Sequence, residues 1–131
     1  MKALSYKDVC LVPRYSIVKS LSECDTSVEL GGIRFNIPCC PANMKTSISF
    51  DLAEQLANNG YFYVLHRFYP YEDIKNWLIQ NKDLRCKSIS VGVQKEDYDF
   101  IGWLSHDYTS KVDFLTIDIA HFDSINGKLI L

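Results

Sequence analysis

The stretch that decides the fold is Tyr61-Phe62-Tyr63-Val64-Leu65-His66-Arg67-Phe68. Its first five residues are apolar or aromatic without a polar break, which is typical of a strand that is buried on both faces of a parallel sheet. His66 and Arg67 follow the run directly. Because α/β folds carry their chemistry at the carboxyl ends of parallel strands, we expect this pair to lie at the functional edge of the sheet.

Similar apolar runs recur along the chain. Strands are predicted to begin near residues 39, 61, 88 and 114, with a helical pattern between each pair. Alternating strands and helices favour a parallel sheet with right-handed connections. A repeat this short suits a (β/α)₈ barrel, whose typical length of roughly 250 residues is about twice that of this chain. A complete doubly wound domain of four strands is the alternative, and periodicity does not separate the two.

The helical patterns carry recognisable end signals. The first helix is predicted to open near Ser49 or Asp51, with Glu54 as a capping-box partner, and to end at Gly60. Pro70 leads the second helix, and a third begins at about Glu96. Their predicted apolar faces consist of Ile74, Trp77 and Leu78 in the second helix, and of Tyr98, Ile101 and Leu104 in the third.

The chain before residue 38 follows a different pattern. Residues 5–25 alternate only weakly, which indicates an extended arm. Residues 27–37 contain two runs of period two around Gly31-Gly32, which predicts a β-hairpin with one buried face. We therefore expect one domain, with an arm and hairpin at 1–37, four βα units at 38–121, and an atypical tail at 122–131.

Composition excludes several classes of function. The chain has 131 residues, 47% of them hydrophobic, and a formal net charge of -2, which gives no field for nucleic acid or an anionic membrane. No apolar run is long enough for a bilayer span, and the start does not read as a secretory signal. Five cysteines without CxxC spacing favour reduced thiols in the cytoplasm and no metal site.

Two charged residues at strand ends are the candidates for chemistry. Asp118 ends an apolar run, where it could accept hydrogen bonds from a sugar hydroxyl or cap the amides of the next loop. Arg67 could bind a phosphate, or form a structural ion pair with Asp118. His66 is better interpreted as a core histidine than as a catalyst. No nucleophile stands out, because Cys39 and Cys40 are predicted to lie in an apolar strand, which raises the pKa of a thiol.

Several stretches jointly resemble the GMP reductases, in the family that also contains IMP dehydrogenase. They occur in family order over residues 5–121 and comprise Tyr6-Lys7-Asp8-Val9, Ser22-Glu23-Cys24-Asp25-Thr26, Pro41-Ala42-Asn43-Met44, Tyr61–Phe68, Ser88–Val93 and Thr116-Ile117-Asp118-Ile119-Ala120-His121. The resemblance implies the amino-terminal half of a (β/α)₈ TIM barrel, a homo-oligomer that is usually a tetramer, and NADPH-dependent conversion of GMP to IMP and ammonia in purine salvage.

The resemblance also implies site residues. Asp118, Ile119, Ala120 and Arg67 correspond to cofactor-contacting positions, and Ser20 to a more distant contact. Asn43 and Met44 correspond to positions where the purine nucleotide docks.

Other features depart from the family. Leu21 replaces a usual arginine that contacts phosphate, and Phe122-Asp123-Ser124 follows His121 where the family has glycine and histidine. The catalytic cysteine, the acid/base threonine and the monovalent-cation loop of the family have no counterpart in this chain. We therefore expect no reductase activity from the chain alone, because covalent catalysis requires an activated thiolate beside the purine.

Two other interpretations stay open. Half of a barrel exposes strand edges and an apolar face, so the chain could be a non-catalytic module for binding or assembly. It could also be the product of a broken gene.

Overall fold

The computed structural model describes residues 4–106, 111–125, 127 and 130. The elements follow one another along the chain as a hairpin, two successive helices, and then a strand, a helix and a strand. They are the hairpin strands β1 (Val28–Leu30) and β2 (Ile33–Phe35), the helices α1 (Phe50–Asn58) and α2 (Tyr71–Gln80), the strand β3 (Ser88–Val91), the helix α3 (Lys95–His106) and the strand β4 (Phe114–Ile117).

The predicted hairpin is confirmed. β1 and β2 pair antiparallel, with Val28 opposite Phe35 and Leu30 opposite Ile33. Both loop glycines have positive φ, 56° at Gly31 and 78° at Gly32, as a two-residue hairpin loop requires. Phe35 is buried, whereas Leu30 remains 46% exposed, so only part of the apolar face is covered.

Helix α1 has the predicted ends. The Ser49 hydroxyl accepts a hydrogen bond from the Leu52 amide at 3.2 Å, which caps the first turn. At the other end the Tyr61 amide donates to the Leu56 carbonyl at 2.9 Å and Gly60 has a φ of +74°, as in a Schellman motif. The prediction that Glu54 completes a capping box is wrong, because its carboxylate instead accepts hydrogen bonds from α2.

Helix α2 buries its predicted stripe of Ile74, Trp77 and Leu78. The stripe predicted for α3 is wrong in part. Tyr98 is 37% exposed, and the buried positions are Asp97 and Phe100. A polar residue therefore occupies the buried face of α3 because its carboxylate is hydrogen-bonded, as described below.

The sheet at the centre of the α/β region is parallel. β3 and β4 pair in register from Ser88 with Phe114 to Val91 with Ile117. The Tyr61–Leu65 run lies on the other side of β3, but only Leu65 forms a ladder pair, with Ile89. The parallel pairing and order of the three segments agree with the predicted βα repeat, although the predicted second strand is reduced to this single bridge.

The prediction of a first buried strand at Cys39-Cys40 is wrong. Both cysteines are exposed, and no strand is formed there. Pro38 and Pro41 flank the pair and have no amide hydrogen to donate, which prevents a continuous ladder.

The core lies between this sheet and the three helices. Its fully buried members come from all of these elements, and they include Ala53, Leu65, Ile74, Leu78, Ile89, Val91 and Phe100. The carboxyl ends of the strands therefore rest on a continuous cluster of buried apolar side chains.

The arm and the tail contribute little to this core. Tyr6, Leu11 and Tyr15 in the arm are more than nine-tenths exposed, and Leu21–Glu23 forms one turn of 3₁₀ helix. Phe122 to Ser124 follow as bends, and the remaining residues of the predicted tail lie partly outside the described part of the chain. No helix among the described residues has the length and apolar character needed to cross a membrane.

Candidate functional site

The candidate site is the edge where three neighbouring segments of the sheet end. Arg67 follows Leu65, Gly92 follows β3, and Asp118 follows β4. The Asp118 amide donates to the Val91 carbonyl at 2.8 Å, so the pairing of β3 and β4 continues to the carboxylate. The strand order therefore brings Arg67 and Asp118 to a common rim, as the sequence predicts.

Arg67 and Asp118 form an ion pair across this rim. The distance between Arg67 Nε and Asp118 Oδ2 is 3.4 Å, and the two side chains are 34% and 36% exposed. Arg67 Nε is buried and has no hydrogen-bond partner among the described residues, while the guanidinium carbon lies 4.9 Å from the centre of the Phe68 ring. Because Nε is buried, the partly exposed terminal N–H groups of the guanidinium are the donors for an anionic ligand, and the Asp118 carboxylate can accept from its hydroxyl groups.

The sequence analysis missed a buried carboxylate beneath the rim. Asp97 is 5% exposed and accepts hydrogen bonds from the Gly92 amide at 2.9 Å, from the Gln94 amide at 2.6 Å, and from the Tyr71 hydroxyl. Burial and this carboxylate both raise the pKa of Tyr71, so its hydroxyl stays a donor. The available signal was the acidic residue in the first turn of α3, where a side chain can reach back to the helix start.

His66 is held in the core beside the rim. Its ring stacks on Tyr69 with 4.4 Å between centroids, and its Nδ1 accepts from the Phe68 amide at 3.1 Å. Burial, together with the charge of Lys45, lowers the pKa of His66. The neutral ring then carries its proton on Nε2, which is buried without a partner in the part of the chain that the structure describes. These contacts favour the interpretation of His66 as a core histidine.

Asn43 and Met44 lie in the loop before α1. The Met44 carbonyl accepts from the amides of Ser47 and Ile48, which turns the chain toward α1. Met44 is 52% exposed, and Asn43 is half-buried. The charge of the neighbouring Lys45 contributes to the lowered pKa of His66, after burial.

The remaining predicted cofactor residues lie in two places. Ile119 and Ala120 directly follow Asp118, the first half-buried and the second exposed. Ser20 caps the 3₁₀ turn in the exposed arm, where its hydroxyl accepts from the Ser22 amide at 3.3 Å. The structure therefore brings Ile119 and Ala120 to the rim and gives Ser20 local contacts only, within the described residues.

Three of the cysteines differ in their burial and in their position relative to the sheet. Cys86 is fully buried ahead of β3, at the opposite edge of the sheet, and burial raises its pKa to about 12. Burial also raises the pKa of the Cys40 thiol, although the Val64 amide beside its sulfur opposes the shift. Cys39 and Cys40 line an apolar cavity of about 320 Å³ under the hairpin.

Comparison with known proteins identifies the wider group. A family model described as the IMP dehydrogenase / GMP reductase domain matches residues 3–129. The GMP reductase of Bacillus subtilis (strain 168) is 49% identical over 116 residues, and that of Clostridium acetobutylicum is 50% identical over 119 residues. In both cases the match covers 88% of this chain and 35% of the relative, so the chain spans about a third of the length of these proteins.

A solved structure gives the same assignment. The crystal structure of inosine 5' monophosphate dehydrogenase from Legionella pneumophila superposes with a TM-score of 0.75 at 28% identity. The superposition covers 98% of this chain and 39% of that one.

Proposed function

Because the chain belongs to the IMP dehydrogenase / GMP reductase family, we propose that it forms the cofactor- and substrate-facing part of an NADPH-dependent GMP reductase. The complete reaction converts GMP to IMP and ammonia in purine salvage. The observation that carries this proposal is the ion pair of Arg67 and Asp118 at the carboxyl ends of parallel segments. Ligands of parallel α/β folds bind at that edge.

The architecture in this proposal is part of a (β/α)₈ barrel. Residues 38–121 supply its βα units, and residues 1–37 supply the arm and hairpin before them. Support comes from the parallel pairing of β3 with β4 and of Leu65 with Ile89, and from helices between successive segments. The absence of a strand at Cys39-Cys40 leaves the first unit without its strand in the described residues.

The proposal that the rim holds NADPH is supported by the chemistry of its side chains. Asp118 is a half-exposed acceptor that suits a ribose hydroxyl, and Arg67 offers guanidinium N–H groups to a phosphate. The backbone of Ile119 and Ala120 continues the rim beside Asp118. Bound NADPH supplies the hydride, whereas these residues hold and orient it. We assign Ser20 to a more distant contact.

The purine nucleotide is assigned to the loop before α1. Asn43 offers an amide that can both donate and accept, and Met44 offers an exposed, polarisable thioether to a planar ring. The charge of Lys45 in this loop contributes to the lowered pKa of His66, which directly precedes Arg67. In this proposal the cofactor and the nucleotide meet at one edge of the sheet.

The chain alone is proposed to lack reductase activity. Reduction of GMP in this family uses a cysteine thiolate, by the resemblance described above. Cys86 is buried with a pKa of about 12, and burial raises the pKa of the Cys40 thiol, so the surroundings of both thiols disfavour the thiolate. When the purified chain is incubated with GMP and NADPH, the absorbance of the reduced nicotinamide should not decrease.

A chimera tests the proposed role directly. The matching third of the Bacillus subtilis GMP reductase is replaced by this chain, and oxidation of NADPH by GMP is measured. We expect activity, and we expect Arg67→Ala to raise the KM for NADPH about tenfold or more. Arg34→Ala is the matched control, because Arg34 forms an exposed ion pair with Asp25 in the hairpin region. An active chimera that is indifferent to Arg67→Ala would overturn the assignment of the cofactor site.

A second candidate function is assembly. The exposed apolar side chains of Tyr6, Leu11 and Tyr15 favour it, because burial of large apolar side chains of the arm against a partner removes apolar surface from water. The family resemblance adds the expectation of a homo-oligomer. Size-exclusion chromatography with light scattering tests the assembly function. A monodisperse monomer at high concentration would count against assembly through the arm.

A further inference from the structure

We propose that Asp97, together with the bare backbone of Gly92, is the element that positions Arg67 at the rim. This inference rests on the proposed role of Arg67 in binding NADPH. Asp97 itself does not reach the rim surface, because it is 5% exposed beneath the loop that follows β3. It is therefore a positioning residue, and it acts on the ligand through the loop and the arginine.

The first step is the fixing of the loop. Asp97 Oδ1 accepts from the Gly92 amide at 2.9 Å, and Oδ2 accepts from the Gln94 amide at 2.6 Å. Hydrogen bonds to a carboxylate are stronger than those between neutral groups. Two such bonds from one carboxylate leave the backbone from Gly92 to Gln94 little freedom to move.

The second step is a tie to the segment that carries Arg67. The Tyr71 hydroxyl donates to Asp97 Oδ1, and the Tyr71 ring stacks on Phe100 with centroids 4.2 Å apart. Tyr71 begins α2, four residues after Arg67. The carboxylate of Asp97 thus connects the start of α3, the loop after β3 and the chain that leads from Arg67 into α2.

The third step concerns the space around the Gly92 backbone. A Cβ atom at Gly92 would lie 2.8 Å from Asp97 Oδ2 and 3.2 Å from Arg67 Nη1. The guanidinium therefore lies directly over the loop backbone, at a place where a methyl group would displace either the carboxylate or the arginine. On its other side Arg67 meets Asp118 at 3.4 Å. The cation is thereby held between the loop after β3 and the end of β4.

The position matters because the two charged groups that face the ligand are also attracted to each other. If the loop loosens, the guanidinium is free to turn, and the ligand must then order it on binding. A preorganised arginine avoids that cost. We therefore expect the loss of Asp97 or the filling of Gly92 to weaken NADPH binding about tenfold without unfolding the chain.

The experiment uses the full chain and two measurements. The chain has four arginines, so the ¹⁵Nε–¹H spectrum contains few signals, and Arg67→Lys identifies the signal of Arg67. NADPH affinity is measured by the fluorescence of the reduced nicotinamide. The variants are Gly92→Ala, Asp97→Asn and the milder Tyr71→Phe. Gly102→Ala is the matched control, because no atom of the described residues outside the neighbouring turns of the same helix lies within 4 Å of a Cβ atom at that glycine.

The proposal predicts that Gly92→Ala and Asp97→Asn shift or broaden the Arg67 Nε signal and weaken NADPH binding about tenfold, with Tyr71→Phe showing a smaller change and Gly102→Ala none. An unchanged Arg67 signal in both Gly92→Ala and Asp97→Asn, in folded protein, would overturn it. If the unmutated chain shows no saturable NADPH binding, the cofactor role fails, and the Arg67 signals alone then decide whether Asp97 and Gly92 position the arginine.

Discussion

Removal of the Glu54 carboxylate should loosen the two helices that flank the Tyr61–Leu65 segment. Glu54 Oε1 accepts from Trp77 Nε1 at 2.8 Å and from Asn81 Nδ2 at 3.0 Å, which joins α1 to α2. Trp77 is 5% exposed, so Glu54→Ala leaves a buried indole N–H without an acceptor. An unsatisfied buried donor costs about 1–3 kcal/mol.

The expected loss of unfolding free energy is about 2 kcal/mol. For a domain of this size, that loss lowers the melting temperature by about 8 °C. Urea unfolding followed by circular dichroism measures it, since this signal survives changes at Trp77. A double-mutant cycle with Trp77→Phe should give a coupling energy of about 1 kcal/mol for the indole hydrogen bond.

The matched control is Glu72→Ala. Glu72 is 78% exposed and pairs with Lys75 at 2.7 Å within α2, and such exposed pairs are worth about 0.3–0.5 kcal/mol. The two losses of unfolding free energy compare the half-buried Glu54 carboxylate, which accepts from two donors, with the solvated Glu72 carboxylate. Equal losses for Glu54→Ala and Glu72→Ala would refute the reasoning that Glu54 joins the two helices.

Three further outcomes are expected. Cys86, buried with a pKa of about 12, should react with Ellman's reagent only after unfolding, and a rate equal to that of the exposed thiols would contradict its burial. Burial lowers the pKa of His66 below its ordinary 6.5, so the unfolded state binds the proton more tightly than the folded state. The contribution of neutral His66 to the free energy of unfolding is therefore complete above about pH 6.5 and is lost as pH falls. His66→Phe should flatten that part of the dependence of unfolding free energy on pH, and an unchanged slope would refute it. Leu65→Ala should cost about 2–5 kcal/mol, and Leu115→Ala, at a position 42% exposed, clearly less, as chemical denaturation will show.

Much of the fold could be predicted from the sequence because local signals and tertiary packing agree there. The cap at Ser49, the positive φ at Gly60 and the Gly31-Gly32 loop each depend on a few neighbouring residues. The common rim of Arg67 and Asp118 follows from parallel strand order, which fixes where strand ends meet.

The rest depends on contacts that periodicity does not encode. Cys39-Cys40 is apolar enough for a strand, but the flanking prolines remove the amide donors that a ladder needs. The face of α3 was predicted from apolar residues alone, whereas Asp97 is buried because a loop elsewhere supplies its donors. Glu54 likewise finds its partners in another helix, which no local capping pattern indicates.

We propose above that the rim formed by Arg67 and Asp118 binds NADPH. Isothermal titration of the purified chain with NADPH tests it most directly, with Asp118→Asn as the variant and Asp25→Asn, from the exposed hairpin-region ion pair, as the matched control. We predict saturable binding that Asp118→Asn weakens about tenfold or more and that Asp25→Asn leaves unchanged. Equal affinity for NADPH in the unmutated chain and in Asp118→Asn would contradict it.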